Sequence, residues 1–356
     1  MSVRSRRSSR PAHAAAFLAL AVAACGPGGD EDRDENSQGL GPTDAASTDA
    51  AGTDAAAADA AGTDAAVNAS SIKFIFVIAM ENHDQPQIIG NTADAPYINE
   101  TLIPSFAQST NFNDELTSLP SEPHYVWMEA GTNDFSDNTF TNDDTPSASN
   151  STSSTAHLST QIDGAGTVSW LSYQEGIDDS SGACPIASSG FYQPKHDPFI
   201  FFQDVSGNPP SKDNAGCAEH HREISQLFAD LETGAVASYN FVTPDQCHDM
   251  HGQFGCPDSN EIRSGDTWLS ENLPALISFV NDNSGVIFLT WDEGEDTTQM
   301  PFLAIGPHVK PGFAGSVSYD HSSLLKSVER ILGLPFLDTV AGANELDDLF
   351  EPGFYP

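Results

Sequence analysis

Positive charge is scarce in this chain: 13 Lys and Arg stand against 51 Asp and Glu, a formal net charge of −38 over 356 residues. That balance excludes nucleic acid as a partner, because a phosphate backbone is held by clustered Lys and Arg. The chain also has no Cys-x-x-Cys pair, which argues against a structural zinc site. Long apolar runs are missing too: the stretch at residues 14–24 is too short to cross a bilayer as a permanent helix. Hydrophobic residues nevertheless make up 38% of the chain. That is enough for a proper core, so the acidity is not that of a wholly disordered polypeptide. Charge of this size keeps a protein in solution.

The N-terminus reads as an export signal. Arg4, Arg6, Arg7 and Arg10 precede the short apolar segment, which ends in Val22-Ala23-Ala24-Cys25. This ending resembles a bacterial lipobox. It leads us to expect a signal peptide over residues 1–24 and lipidation of Cys25. The protein is then expected in the cell envelope or at the cell surface. Gly26, where Asp would signal inner-membrane retention, favours the outer membrane, with membrane contact only through the lipid. Residues 25–67 repeat Thr-Asp-Ala-Ala units and have little to bury, so they read as a solvated tether. The folded domain is expected over residues 68–356.

Within it, apolar runs at residues 72–79, 168–173, 238–242, 286–291 and 302–305 read as strands. Helices are expected at 98–108, from Ser121 onward, at 219–231, at 266–281 and at 320–332. The last is closed by Gly333 and Pro335, in the order that ends a helix. Residues 134–155 read as a long polar surface loop. Strands alternating with helices predict an α/β fold, a sandwich with a mainly parallel sheet. Four cysteines remain after Cys25, and three pairings are open. Short loops close most easily, so Cys184–Cys217 and Cys247–Cys256 are the expected disulfides.

The chemistry gathers at strand ends. Glu81-Asn82 follows the first strand and Asp292-Glu293 follows the strand ending at Trp291. Together they offer hard oxygen ligands for a divalent cation of unspecified identity. Ser121 opens a helix after Pro120, where free backbone N–H groups favour an anion. Its hydroxyl needs a metal or a base to become a nucleophile. Histidines recur at His196, His248, His251 and His321.

Seven segments, AMENHD, PSEPHY followed by AGT, KHDPF, TPDQCHDMH, GDTWL, LTWDEGE and DHSSLLKSVERILGLP, occur in one order. Together they resemble the phosphoesterase family of bacterial and fungal acid phosphatases and phospholipases C, within the alkaline-phosphatase superfamily. The resemblance implies a three-layer α/β/α sandwich of alkaline-phosphatase type and a divalent metal ligated by Glu81, Asn82, Asp292 and Glu293. It implies Ser121 as nucleophile, with His321 and His251 as further catalytic groups. His124, His196 and Asp245 are expected to surround the phosphate, and Lys195 and Arg263, which lie in or beside these motifs, are the expected auxiliary cations around it. The chain departs from the family where a His often follows the WDEG-like motif; residues 295–300 contain none, and Gln299 is the nearest substitute.

With so few cations in the domain, a bound metal is expected to supply most of the charge stabilisation that phosphoryl transfer requires. The function expected is hydrolysis of phosphate monoesters, on a phosphorylated small molecule or a phospholipid. A phospholipase C-type diesterase and a catalytically inactive metal-binding surface lipoprotein are the alternatives.

Overall fold

The structure is a computed structural model that describes residues 71–178 and 182–356. The expected signal peptide, Cys25 and the tether lie outside the described residues.

Eight strands form one sheet in the order β4-β3-β5-β1-β6-β7-β2-β8. In chain order they are β1 Phe74–Met80, β2 Ala107–Asn113, β3 Trp170–Gln174, β4 His221–Glu223, β5 Tyr239–Thr243, β6 Gly285–Trp291, β7 Gln299–Ile305 and β8 Ala314–Gly315. β1 pairs in parallel with both β5 and β6, and β3 pairs in parallel with β4 and β5. β7 runs antiparallel to β6 and to β2. The sheet is therefore mainly parallel, as the alternation of elements implied.

β1, β5 and β6 are buried almost throughout. This is why they read as unbroken apolar runs: a parallel strand covered on both faces has no solvent side. The two covering layers follow from side-chain parity. Phe74 and Phe76 point to one face and meet Phe279 of the Glu261–Asn283 helix. Val77 points to the other face, in register with Phe241. Phe241 there meets Tyr125 of the Ser121–Ala130 helix. Helices thus cover both faces, giving the α/β/α sandwich.

Three local expectations change. The helix expected at 98–108 stops early: a π-turn at Ile98–Leu102 and a short turn at Ile103–Ser105 give way to β2. β2 reads AQSTNFN, and within it Ala107, Ser109 and Phe112 are buried. Its polar composition hid a strand near the sheet edge. The helix expected at 219–231 is two helices, Ala215–His220 and Ile224–Thr233, divided by the three residues of β4. The helix expected at 266–281 begins earlier, at Glu261, where the Asn260 side chain accepts the Arg263 N–H. The expected disulfides, Cys184–Cys217 and Cys247–Cys256, are both formed.

Candidate functional site

Strand register builds the site. Met80 is paired with Trp291, so the residues that follow each, Glu81 and Asp292, leave neighbouring parallel strands side by side. They continue the parity of Val77, toward the face covered by the Ser121 helix. Asn82 then turns the chain at a φ of 29°, a left-handed conformation that Asn tolerates better than most residues. Its backbone N–H donates to Asp292 Oδ1 (3.0 Å) and its side-chain amide donates to Glu293 Oε1 (3.1 Å). The two motifs are thereby locked together across the sheet.

Ser121 is the first residue of its helix and is buried. Its Oγ donates to Glu81 Oε2 at 3.0 Å, lies 3.4 Å from Glu293 Oε1 and accepts from Lys195 Nζ at 3.3 Å. Lys195 also donates to Asp143 Oδ2 at 2.6 Å. The Lys195 ammonium is held above its usual range: burial opposes the charge, but Glu81 and Asp143 outweigh it. His196 places Nε2 3.3 Å from Glu81 Oε1 and Nδ1 3.6 Å from Asp249 Oδ2. Its ring stacks on Tyr125. Burial, then the positive charge of Lys195, drives the His196 imidazolium well below its usual range. A neutral imidazole is the form that binds metals.

The acids at the centre are crowded. Burial, then the charges of Asp292 and Asp249, pushes Glu81 well above the carboxylate range. Asp249 is raised chiefly by burial, as is Asp292. Burial, then Asp292, carries Glu293 up to about 8. Glu81 Oε1, Asn82 Oδ1, Asp292 Oδ2, His196 Nε2 and Asp249 Oδ2 are all buried with no hydrogen-bond partner among the described residues. The 3.3 Å approach of His196 to Glu81 is therefore a close contact of ligand-type atoms and not a formed bond. Orphaned buried oxygens beside a neutral imidazole are a donor set suited to a divalent cation. Ligand atoms of Glu81, His196 and Asp249 all lie within 4.8 Å of one another, and so do those of Glu175, Asp245 and His248.

Other expected site residues sit around this centre in different capacities. His124 bonds Asp114 Oδ1 through Nε2 (2.9 Å) and the Pro120 carbonyl through Nδ1 (2.9 Å). Burial opposes its charge, but Asp114 and the nearby Asp292 and Glu293 raise it to about 9. As an imidazolium it donates both bonds, bracing the start of the Ser121 helix. His321 bonds Glu115 through Nδ1 and the Trp291 carbonyl through Nε2 (2.9 Å), which fixes the end of β6 one residue before Asp292. His251 is exposed; its N–H donates to Asp249 Oδ1 and its Nδ1 to the Gly252 carbonyl. Asp245 is engaged with His248, and its N–H donates to Glu175. Arg263 is exposed and paired with Asp258 and Asp94. The contacts of Asp245 and Arg263 thus lie outside the Ser121 cluster. Gln299 donates to the Thr110 carbonyl and ties β7 to β2.

Sequence reasoning missed two residues. Asp249, between His248 and His251, faces the centre and also receives the Glu81 N–H on its own carbonyl; the Asp in DMH was the available signal. Asp84 accepts the N–H groups of Glu295, Asp296 and Thr297, anchoring the loop that follows Asp292-Glu293. Gly294 is required there, since a Cβ would lie 2.0 Å from the Thr297 carbonyl oxygen. The GDTWL segment is structural: a Cβ on Gly265 would strike Met250, and Asp266 accepts the Tyr97 and Ile98 N–H groups.

Both the fold and the chain have relatives. A solved protein from the glycosaminoglycan-metabolism locus of Bacteroides thetaiotaomicron shares the fold, with a TM-score of 0.51 at 13% identity over 80% of this chain and 83% of that one. Residues 102–335 match the model of the Phosphoesterase family. The chain belongs to that family and is a hydrolase acting on phosphate esters. It is 27% identical over 280 residues to a phosphatidylinositol-3-phosphatase of Mycobacterium tuberculosis, covering 78% of this chain and 82% of that one. It is 29% identical over 182 residues to an acid phosphatase of Aspergillus niger, covering 48% of this chain and 40% of that one.

Proposed function

We propose that this phosphoesterase is a divalent-metal-dependent phosphate monoesterase in which Ser121 is the nucleophile. The observation that carries the reading is the convergence of Glu81 and Lys195 on the buried Ser121 Oγ. Glu81, Asn82, Asp292 and Glu293 would hold the ion, with His196 and Asp249 as the adjoining donors. Such an ion, when bound, supplies Lewis-acid stabilisation of charge on the phosphoryl oxygens.

The chain's own groups account for the rest. Ser121 Oγ attacks phosphorus as the bond from phosphorus to the ester oxygen breaks, and its proton passes to Glu81 Oε2. The departing alkoxide takes a proton from solvent, and Glu81 returns the serine's proton to solvent. Water then splits the phosphoseryl bond, releasing inorganic phosphate and restoring the hydroxyl. Lys195 offers its positive charge to the equatorial oxygens during both displacements. Two relatives named as phosphatases support monoesters over diesters. The name of the first favours, as a second substrate reading, a phosphate carried on a lipid headgroup.

The test is turnover of a chromogenic phosphate monoester, a phosphatidylinositol monophosphate and phosphatidylcholine, with and without chelator, beside Ser121→Ala. We expect monoester hydrolysis abolished by chelator, restored by a divalent ion, and reduced on the order of a thousandfold or more in Ser121→Ala. Turnover indifferent to chelator sinks the metal. Turnover intact in Ser121→Ala sinks the nucleophile, and diacylglycerol release from phosphatidylcholine alone makes the protein a diesterase.

A further inference from the structure

A cavity of about 440 Å³ opens beside the nucleophile, and Lys195 is part of its wall. The same Lys195 ammonium lies 3.3 Å from Ser121 Oγ, so the cavity and the nucleophile share one side chain. Its lining is unusual for a ligand pocket, which is ordinarily apolar and aromatic. Among the described residues no aromatic ring lines it, and Pro194 is the one apolar side chain. Gln193 and Gln246 bring amides, and Thr145 and Ser188 bring hydroxyls.

Charge sharpens this picture. Lys195 is matched by Asp143 at 2.6 Å, so these two largely cancel. Asp144 remains as the excess negative charge on the wall. Its backbone N–H donates to Glu122 Oε2, and Asn150 donates to the other Glu122 oxygen. Glu122 is buried in the first turn of the Ser121 helix. The loop carrying Asp143 and Asp144 is therefore fastened to the nucleophile's own helix, and the wall keeps its place relative to Ser121.

Resting on the reading of Ser121 as the phosphate-accepting centre, we infer that this cavity is the leaving-group subsite and takes a neutral, hydroxyl-rich alcohol. Amides, hydroxyls and a carboxylate accept and donate to vicinal hydroxyls, whereas an apolar ring would desolvate them without replacement bonds. A second phosphate on the alcohol would meet the Asp144 carboxylate. The preferred substrates are monophosphates of polyols, ahead of aryl phosphates and of bisphosphates.

Binding to the full-length Ser121→Ala protein tests the subsite without needing turnover, by calorimetry with glucose 6-phosphate, phenyl phosphate and fructose 1,6-bisphosphate. We expect glucose 6-phosphate to bind at least about fivefold more tightly than either of the others. Adding Asp144→Asn, a substitution at an exposed side chain that keeps the backbone bond to Glu122, narrows the gap to the bisphosphate about fivefold at low salt. Equal or tighter binding of phenyl phosphate overturns the inference. So does an Asp144→Asn protein whose ratio of bisphosphate to monophosphate affinity does not move. Wild-type turnover of the three esters, run in parallel, reports on the catalytic reading separately: absent turnover with the binding order intact rejects the chemistry and keeps the subsite.

Discussion

Replacing Asp84 with Ala removes the one carboxylate that gathers three successive backbone N–H groups of the loop after Asp292-Glu293. The distances are 3.1 Å to Glu295 N, 3.2 Å to Asp296 N and 3.0 Å to Thr297 N. A hydrogen bond to a charged group contributes roughly 1.5–3 kcal/mol, but three donors sharing one acceptor do not add in full. We expect Asp84→Ala to cost about 3 kcal/mol, a fall in melting temperature of roughly 5–10 °C. Asp84→Asn keeps one acceptor oxygen and should recover about half of that loss. The same loop sets the direction in which Asp292 and Glu293 point, so divalent-ion affinity should fall about 10- to 100-fold, as when an outer partner of a metal ligand is removed. Denaturant unfolding gives the first quantity and metal titration the second. An Asp84→Ala protein with wild-type stability and an unchanged metal titration refutes the reasoning. So does Asp84→Asn behaving no better than Asp84→Ala.

Two further outcomes follow from local geometry. Gly294→Ala forces a Cβ to within 2.0 Å of the Thr297 carbonyl oxygen and 2.9 Å of Asp84 Oδ1. It should lower kcat/KM about tenfold or more while leaving the helical circular dichroism unchanged; unaltered kinetics would mean the loop is free to shift. His157 is buried between Glu129 and Asp204; burial opposes its charge, but the bonds to Asp204 and Glu129 outweigh it and raise it to about 9. Because the folded value lies above the usual 6.5, its contribution is fully present below about pH 6.5 and disappears as pH rises through about 9. That contribution is on the order of 3 kcal/mol. The stability gap between wild type and His157→Gln should therefore shrink from pH 6 to pH 10, and a gap independent of pH contradicts the assignment.

Most of the central sheet was legible because its strands are covered on both faces. Phe74–Met80 and Gly285–Trp291 advertise burial in an uninterrupted apolar run. Edge elements carry no such signal. β2 is mostly polar and is bulged between Ser109 and Phe112, and β4 is three residues long between two helices. In the site, side chains at strand ends were readable because chemistry-bearing residues interrupt an apolar pattern. Ser121, Glu81, Asn82, Asp292, Glu293, Lys195 and His196 do come together. His124, His321 and Asp84 each bond backbone groups, and for His321 and Asp84 the partners are distant in sequence, Glu115 and Trp291 for the one and the loop at 295–297 for the other. Spacing alone does not reveal such partners. Arg263 lies beside one of the motifs, yet Asp258 five residues before it accepts from Nε and Nη2, and Asp94 lies 3.7 Å from Nη1.

The pairing of β1 with β6 brings Asn82 to Asp292, 210 positions further along the chain. A chain made from its N-terminus carries Glu81 and Asn82 through most of its synthesis before the matching pair exists. Both strands that flank β1 in the sheet, β5 and β6, come from the second half of the domain. Fragments ending before Asp292 hold Glu81, Asn82 and Ser121 but lack the two acids that follow β6. Hydrolysis is thus a readout of completion: its appearance during refolding should track closure of this long-range pairing, and not the earlier formation of local helices.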